Sequence, residues 1–317
     1  MKGNLNKVII FVCVLTIWVT PSLAWDEVGH EMTAYIAWQR MSPKARENAI
    51  KILRSAPEES QLSSLFQLYG IEPEDVRKRG FFMEAATWAD IIRDREVPKR
   101  YTFHKGNWHY SDTFWKQVNG QAEVLSEMEK GGQGVKKLYE FDSVLKDPNA
   151  KLSEKAIALA WFMHISGDLH QPLHTSARVT DVEPKGDQGG NLFLLSPVGT
   201  KREDQLNLHW FWDSIIKRFS PPKNEECGQN YVESMARKAM KKYPFEKMSA
   251  GLELGKYSDW QQESFKLNPS IVFSPDLIRN QKPAAKYKKK AFKTAEKQIA
   301  IAGYRLGETL NNIFDKQ

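Results

Sequence analysis

Two cysteines in 317 residues exclude a disulfide framework. One of them, Cys13, sits in an N-terminal apolar run, so a chain cut behind that run keeps Cys227 alone and forms no internal disulfide even in an oxidising compartment. Long apolar stretches are missing from the rest of the sequence, which excludes a multi-span membrane protein. No acceptor for N-linked glycan occurs, because Asn268 is followed by Pro269. Internal repeats and low-complexity linkers are missing too; the Pro- and Gly-rich stretches at 178–190, 220–228 and 268–283 are too short to divide domains. What remains, 41% hydrophobic and 27% charged, has the composition of a single globular unit rather than a disordered or fibrous chain.

The first residues read as a secretory signal. Lys2 and Lys7 precede an apolar stretch from Val8 to Val19, followed by Thr20-Pro21-Ser22-Leu23-Ala24, with small residues where a signal peptidase accepts them. That core is short against the roughly 20 residues needed to span a membrane. The expected division is 1–24 as signal peptide and 25–317 as the functional domain, exported to the medium or a periplasm and free of the membrane after cleavage. Removing Lys2 and Lys7 takes the formal charge from +7 to +5. So weak a basic excess allows an anionic substrate without demanding one.

Most of the exported part carries a helical period: residues 31–41, 44–54, 82–93, 120–130, 135–146, 153–169, 209–219, 230–243 and 257–267. The best strand signal is Asn191–Leu195, entered through Gly189-Gly190 and left through Ser196-Pro197, and predicts a short hairpin. The lysines after Lys286 lie opposite an apolar face running from Tyr287 through Ala291, Ala295, Ile299, Leu306 and Ile313 to Phe314, so they are read as the solvated side of a closing helix rather than a nucleic-acid patch. The fold class is mainly α.

The chemistry concentrates in histidine and aspartate. Of the seven histidines, His164 stands four residues before Asp168, and His209 four before Asp213. On a helix that spacing puts both side chains on one face, where they form either a surface hydrogen bond or half a metal site. The first pair continues through His170-Gln171-Pro172-Leu173-His174 and lies among Trp161, Phe162 and Ile165; ionisable groups in such company need partners or a cation. Asp90 in Trp88-Ala89-Asp90 is trailed by Arg93, and reads alone as a surface acid paired with that arginine. His109 in Asn107-Trp108-His109-Tyr110 reads alone as a packed core histidine.

Taken together with Trp25 at the new terminus, His30, Gly189-Gly190-Asn191, Trp260 with Glu263-Ser264, and Ala302-Gly303-Tyr304-Arg305-Leu306, these motifs span the exported chain and resemble, in order, the zinc-dependent S-one/P-one (S1/P1) nucleases of plants, fungi and bacteria. The resemblance implies the single-domain helical fold shared with zinc phospholipase C, with a short β-hairpin. It implies a cleft holding three Zn2+ ions: one on Asp90, His109, His164 and Asp168, a neighbour on Trp25, His30 and Asp168, a third on His174, His209 and Asp213. Trp25 would bind through its free α-amino nitrogen and carbonyl oxygen, which ties function to signal removal. The three aspartates offset half of the +6 carried by three dications, and the remainder attracts polyanions.

By the same resemblance the protein is a zinc-dependent endonuclease cutting single-stranded DNA and RNA to 5′-phosphate products, with 3′-nucleotidase activity, as a monomer without protein partners. Asp90 and Arg93 are the catalytic candidates. Tyr110 and Asp112, with Arg93, are the substrate-binding candidates, although Tyr110 also reads as simple packing and Asp112 as a cap through Thr113. His104 is read as a surface residue and His170 as structural. Two rivals differ in testable ways: a zinc phospholipase C, whose closing pair ends in Glu where this chain has Asp213, and a non-enzymatic nucleic-acid binder, whose binding would survive chelation.

Overall fold

The structure is a computed structural model of the chain, and it describes residues 25–93, 100–223 and 228–315. The expected signal peptide and Cys227 lie outside the described residues. Among the described residues twelve α-helices carry the architecture: α1 (Glu27–Arg40), α2 (Pro43–Leu53), α3 (Glu74–Ile91), the single turn α4 (Arg100–Phe103), α5 (Gly134–Lys146), α6 (Leu152–Asp168), α7 (Leu208–Asp213), α8 (Ile215–Phe219), α9 (Gly228–Lys242), the single turn α10 (Phe245–Met248), α11 (Tyr257–Phe265) and α12 (Ala285–Phe314). The mainly helical fold follows the sequence reading. No helix among the described residues is long and apolar enough to cross a membrane.

Local signals set several of these starts. The Asp26 carboxylate accepts from the Gly29 amide and caps α1, while Ser42 accepts from Ala45 with Pro43 at the first position of α2. Helix α6 is buried on every side from Ala158 to Asp168, as expected of a helix that is apolar all round. It runs through the middle of the molecule, packed on α2, α3, α5 and α12. Helix α1 packs in turn on α3, α9 and α12. The long α12 closes the body with Tyr287, Ala291, Ala295, Ile299, Leu306, Leu310 and Ile313 inward, and Lys286, Lys289, Lys290, Lys293 and Lys297 exposed.

The β structure is larger than the sequence suggested, and elsewhere. A sheet forms around β1 (Ser111–Val118), which pairs antiparallel with β2 (Gln121–Val124) and β3 (Gly131–Gly132) and parallel with β4 (Ser176–Arg178). The helix read at 120–130 is therefore absent: Asn119 and Gly120, at φ 50° and 77°, make the positive-φ turn of a two-residue hairpin, and β2 follows. Asn191–Leu195 is not a strand; only Leu194 pairs, in an isolated bridge to Asn207. The preceding run of positive φ at Gln188, Gly189 and Gly190 keeps that segment coiled until two bonds, Leu195 N to Leu206 O (2.7 Å) and Leu208 N to Phe193 O (2.9 Å), hold it. The span read at 209–219 is two helices, α7 and α8, broken at Ser214.

Candidate metal centre

Helix α6 supplies the middle of the site. His164 and Asp168 lie one turn apart on it, both fully buried. His164 Nδ1 donates to the Ala86 carbonyl of α3 at 2.8 Å, so the α3–α6 packing also brings Asp90, one turn further along α3, to 3.9 Å from His164 Nε2. His109, just behind the Gly106–Trp108 turn, places Nδ1 2.9 Å from His164 Nε2 and 3.2 Å from Asp168 Oδ2. His30 arrives from α1, stacked on the His164 ring at 3.9 Å, with Nε2 3.3 Å from Asp168 Oδ1. Asp168 thus turns one oxygen toward His30 and the other toward His109 and His164.

A second group forms where the chain turns after α6. Gln171 caps the Pro172–Thr175 turn through its side-chain oxygen, which fixes His174 beneath α7. His209 and Asp213, one helical turn apart on α7, face it: His209 Nε2 stands 3.0 Å from His174 Nε2 and 3.3 Å from Asp213 Oδ2. The Gln171 amide also donates to Asp213 Oδ1 at 2.7 Å, a positioning contact that the motif reading did not single out.

Three sets of donor atoms, each within 4.8 Å of one another, result: His30, His164 and Asp168; Asp90, His109 and His164; and His174, His209 and Asp213. Two observations test whether a cation fits. His174 Nδ1 donates to the His109 carbonyl and His209 Nδ1 to the Gly189 carbonyl, at 2.8 and 2.6 Å. A carbonyl only accepts, so each neutral ring spends its one proton there and the two Nε2 lone pairs face each other across 3.0 Å. Only a positive centre satisfies both. Likewise Asp168 Oδ1 and Oδ2 and both nitrogens of His30 are buried without a hydrogen bond, an arrangement that costs stability unless something pairs with it. Donor separations of 2.9 to 3.3 Å also approach the roughly 3.3 Å edge of a tetrahedron with zinc-to-nitrogen lengths of about 2.0–2.1 Å.

Burial sets the protonation states. It pushes His30 and His209 down to about 4, and His109 and His174 well below the ordinary imidazole value, where neighbouring histidines add to the effect. Neutral imidazole is the form that binds a metal. Burial drives Asp168 well above the ordinary carboxylate value, with His164 opposing.

Trp25 is fully buried beside this group. Its indole donates to the Gly167 carbonyl at 3.0 Å, and the next amide, Asp26, donates to the Asp213 carbonyl at 3.0 Å, so the backbone around Trp25 is held between α6 and α7. The absence of a side chain at Gly167 permits this approach: a Cβ there would stand 2.9 Å from His30 Nδ1. The His164 ring, stacked on His30 at 3.9 Å, limits how far that histidine can shift. Gly167→Ala is therefore expected to cost about 1–3 kcal/mol and to lower metal content, read by thermal melting and elemental analysis; a variant with full metal content would refute the packing argument.

Both groups open into a cleft of about 420 Å3 whose walls include Arg93, His104, Tyr110 and Asp112. Asp90 does pair with Arg93, at 2.9 Å, as one reading of the sequence had it, yet its other oxygen faces the histidines. His104 is a correction: it is half-buried in the cleft wall rather than on the surface, because the Phe103–Lys105 segment folds back until its ring lies 6.3 Å from that of His109. Burial, then repulsion from Asp187, pushes the Asp112 carboxyl well above its ordinary value. His170 has the structural role expected, held by the Ser166 carbonyl and by Arg305 Nη1 at 2.9 Å; Arg305 itself is buried and bonded to Glu263.

Residues 25–315 match the family model described as S1/P1 Nuclease. Among curated proteins, Endonuclease 2 of Arabidopsis thaliana is 27% identical over 224 residues, covering 68% of this chain and 64% of its own length. Endonuclease 3 of Arabidopsis thaliana is 23% identical over 99% of this chain and 97% of its own, and Nuclease S1 of Aspergillus oryzae 24% over 91% of each. The family match runs through every helix that carries a histidine or aspartate of the site, from α1 to α7, and continues to the end of α12. This chain belongs to the S1/P1 nuclease family, hydrolases that act on phosphodiester bonds.

Proposed function

We propose that the protein is an exported endonuclease with three zinc ions, which hydrolyses single-stranded DNA and RNA to 5′-phosphate products and removes phosphate from 3′-nucleotides. The observation that supports this most is the position of Asp168, whose two buried oxygens make no hydrogen bond and face histidines of three different segments. Asp90, His109, His164 and Asp168 would hold one ion, Trp25, His30 and Asp168 its neighbour, and His174, His209 and Asp213 the third. Cleavage after Ala24 would create the Trp25 amine, and the export route it implies leads to the medium or a periplasm.

When bound, the zinc ions supply Lewis acidity toward phosphate oxygens and make a water at the site acidic near neutral pH. The remaining work falls to the chain. Asp90 orients the attacking water; its Oδ1 accepts from Arg93 Nη1, which ties it to the arginine in the cleft wall. Water adds to phosphorus, the bond to the 3′ oxygen breaks, and a proton reaches that oxygen. Arg93 donates to the phosphate oxygens as their charge grows. The Tyr110 ring, in the cleft wall, offers a face to an unstacked base, and Asp112 beside it bonds the base edge; a base inside a duplex presents no such face. The family match and Asp213 as the closing ligand favour this reading over a phospholipase C.

Arg93→Ala is expected to lower kcat by about 10²–10³ while zinc per chain stays constant, because its contact is made to developing charge. Steady-state kinetics on a single-stranded oligonucleotide with parallel metal analysis decide this; equal losses of zinc and rate would remove Arg93 from catalysis. The function as a whole is tested by product ends: a 3′-hydroxyl and a 5′-phosphate at every cut, with cutting lost on chelation. Cleavage of phosphatidylcholine in preference to oligonucleotides would overturn it.

A further inference from the structure

A further cavity, of about 270 Å3, has walls next in sequence to those of the cleft. Neighbouring residues line the two: on β4 Ala177 lines the cleft and Arg178 the cavity, and on the next loop Asn191 lines the cleft and Phe193 the cavity. Its other walls come from Gln117 and Gly120 at the β1–β2 turn and from Phe273 to Leu277. The Gln117 amide is spent on the Pro269 and Phe273 carbonyls, which fixes that wall.

Arg178 lines this cavity and is held inside the protein by a long ion pair to Asp187 and by stacking rather than by a hydrogen bond. Its guanidinium stacks on Phe273 at 4.0 Å and lies 5.3 Å from Phe193, its side chain is 13% exposed, and its buried Nε makes no hydrogen bond. The nearest carboxylate oxygen, Asp187 Oδ2, stands 3.9 Å away and is also unbonded; the other oxygen accepts from the Arg178 backbone amide and so anchors the loop instead. The neighbouring Arg279 is already committed to Glu183 and the Leu192 carbonyl. A stacked guanidinium keeps its planar fork free at the edge, the shape that suits two oxygens of a phosphate.

We infer that this cavity is a phosphate subsite, in which Arg178 takes a phosphodiester of the bound nucleic-acid strand away from the bond being cut. The inference rests on the proposed nuclease reading. Its test uses the zinc-loaded enzyme with thymidylate dimers and hexamers as substrates, in the parent, Arg178→Gln and Arg178→Lys forms. Only the longer strand reaches both sites, so Arg178→Gln should raise KM for the hexamer about tenfold relative to the dimer. The slope of log KM against log salt for the hexamer should become shallower by about 0.7, the value of one phosphate contact on a single strand. Arg178→Lys should recover most of the salt slope but less of the affinity.

Equal effects on dimer and hexamer, or a lowered melting temperature with no length dependence, would make Arg178 a structural residue and overturn the subsite. Loss of inhibition by inorganic phosphate in Arg178→Gln, with hexamer KM unmoved, would assign the cavity to free phosphate and overturn the strand assignment. If the parent enzyme cuts neither oligonucleotide, the nuclease reading fails first, and separately.

Discussion

Replacing Asp168 by asparagine is expected to change the metal-loaded and the metal-free protein in opposite directions. In the loaded protein the substitution removes the one carboxylate that faces both neighbouring donor sets. Two of the three proposed ions should be lost and the rate should fall by about 10³-fold or more, beyond the 10–100-fold typical of residues that merely orient ligands. In the metal-free protein the same carboxylate is fully buried with neither oxygen hydrogen-bonded, so its removal relieves a penalty of about 1–3 kcal/mol.

The pH dependence of that gain has a definite sign. Burial raises the Asp168 pKa in the folded protein. Above the ordinary carboxylate value the unfolded chain has therefore released a proton that the folded chain retains, and stability falls as pH rises through that window. The asparagine variant has no such proton, so its advantage without metal should be absent near pH 4 and grow toward neutrality. Melting curves of chelated protein at several pH values measure this; a parent form more stable than the variant without metal would contradict it.

Removing the metal is the second large effect. The donors come from α1, α3, α6, α7 and two connecting segments, and no disulfide links these elements. Each ion held at about 1,000 times its Kd adds roughly 4 kcal/mol to folding, and a domain of this size shifts by about 2–4 °C per kcal/mol. Chelation of all three proposed ions should accordingly lower Tm by about 20 °C or more. A form carrying one extra residue ahead of Trp25 should lose a smaller share, because only the ion at His30 depends on a free amine. Unchanged melting after complete zinc removal would mean that the ions do not brace the fold.

Much of this site was legible because its parts obey short rules. His164 with Asp168 and His209 with Asp213 declare themselves through helical spacing, and Pro172 marks where the chain must turn to bring in His174. The long-range contacts were legible only by resemblance: nothing local connects His30 with α6, and that contact depends on Gly167, a residue whose meaning appears only when two helices meet. The sheet was misread because residues 120–130 mix polar and apolar residues in a way that a helix period also fits. The informative signal there was the Asn119-Gly120 pair. The positions of His104 and Arg178 were not legible at all, since neither a short connection nor a three-residue strand gives a sign of which wall its side chains will join. The Asp112–Asp187 repulsion joins residues far apart in the chain for the same reason.

In the proposed enzyme, donors dispersed from Trp25 to Asp213 hold three zinc ions in one cleft. Anomalous diffraction at the zinc edge, on crystals of the chain beginning at Trp25, tests it most directly. Three peaks per chain are expected: two flanking Asp168, one of them within bonding distance of the Trp25 amine, and a third between His174, His209 and Asp213. A single peak, or peaks on residues outside these sets, would contradict it.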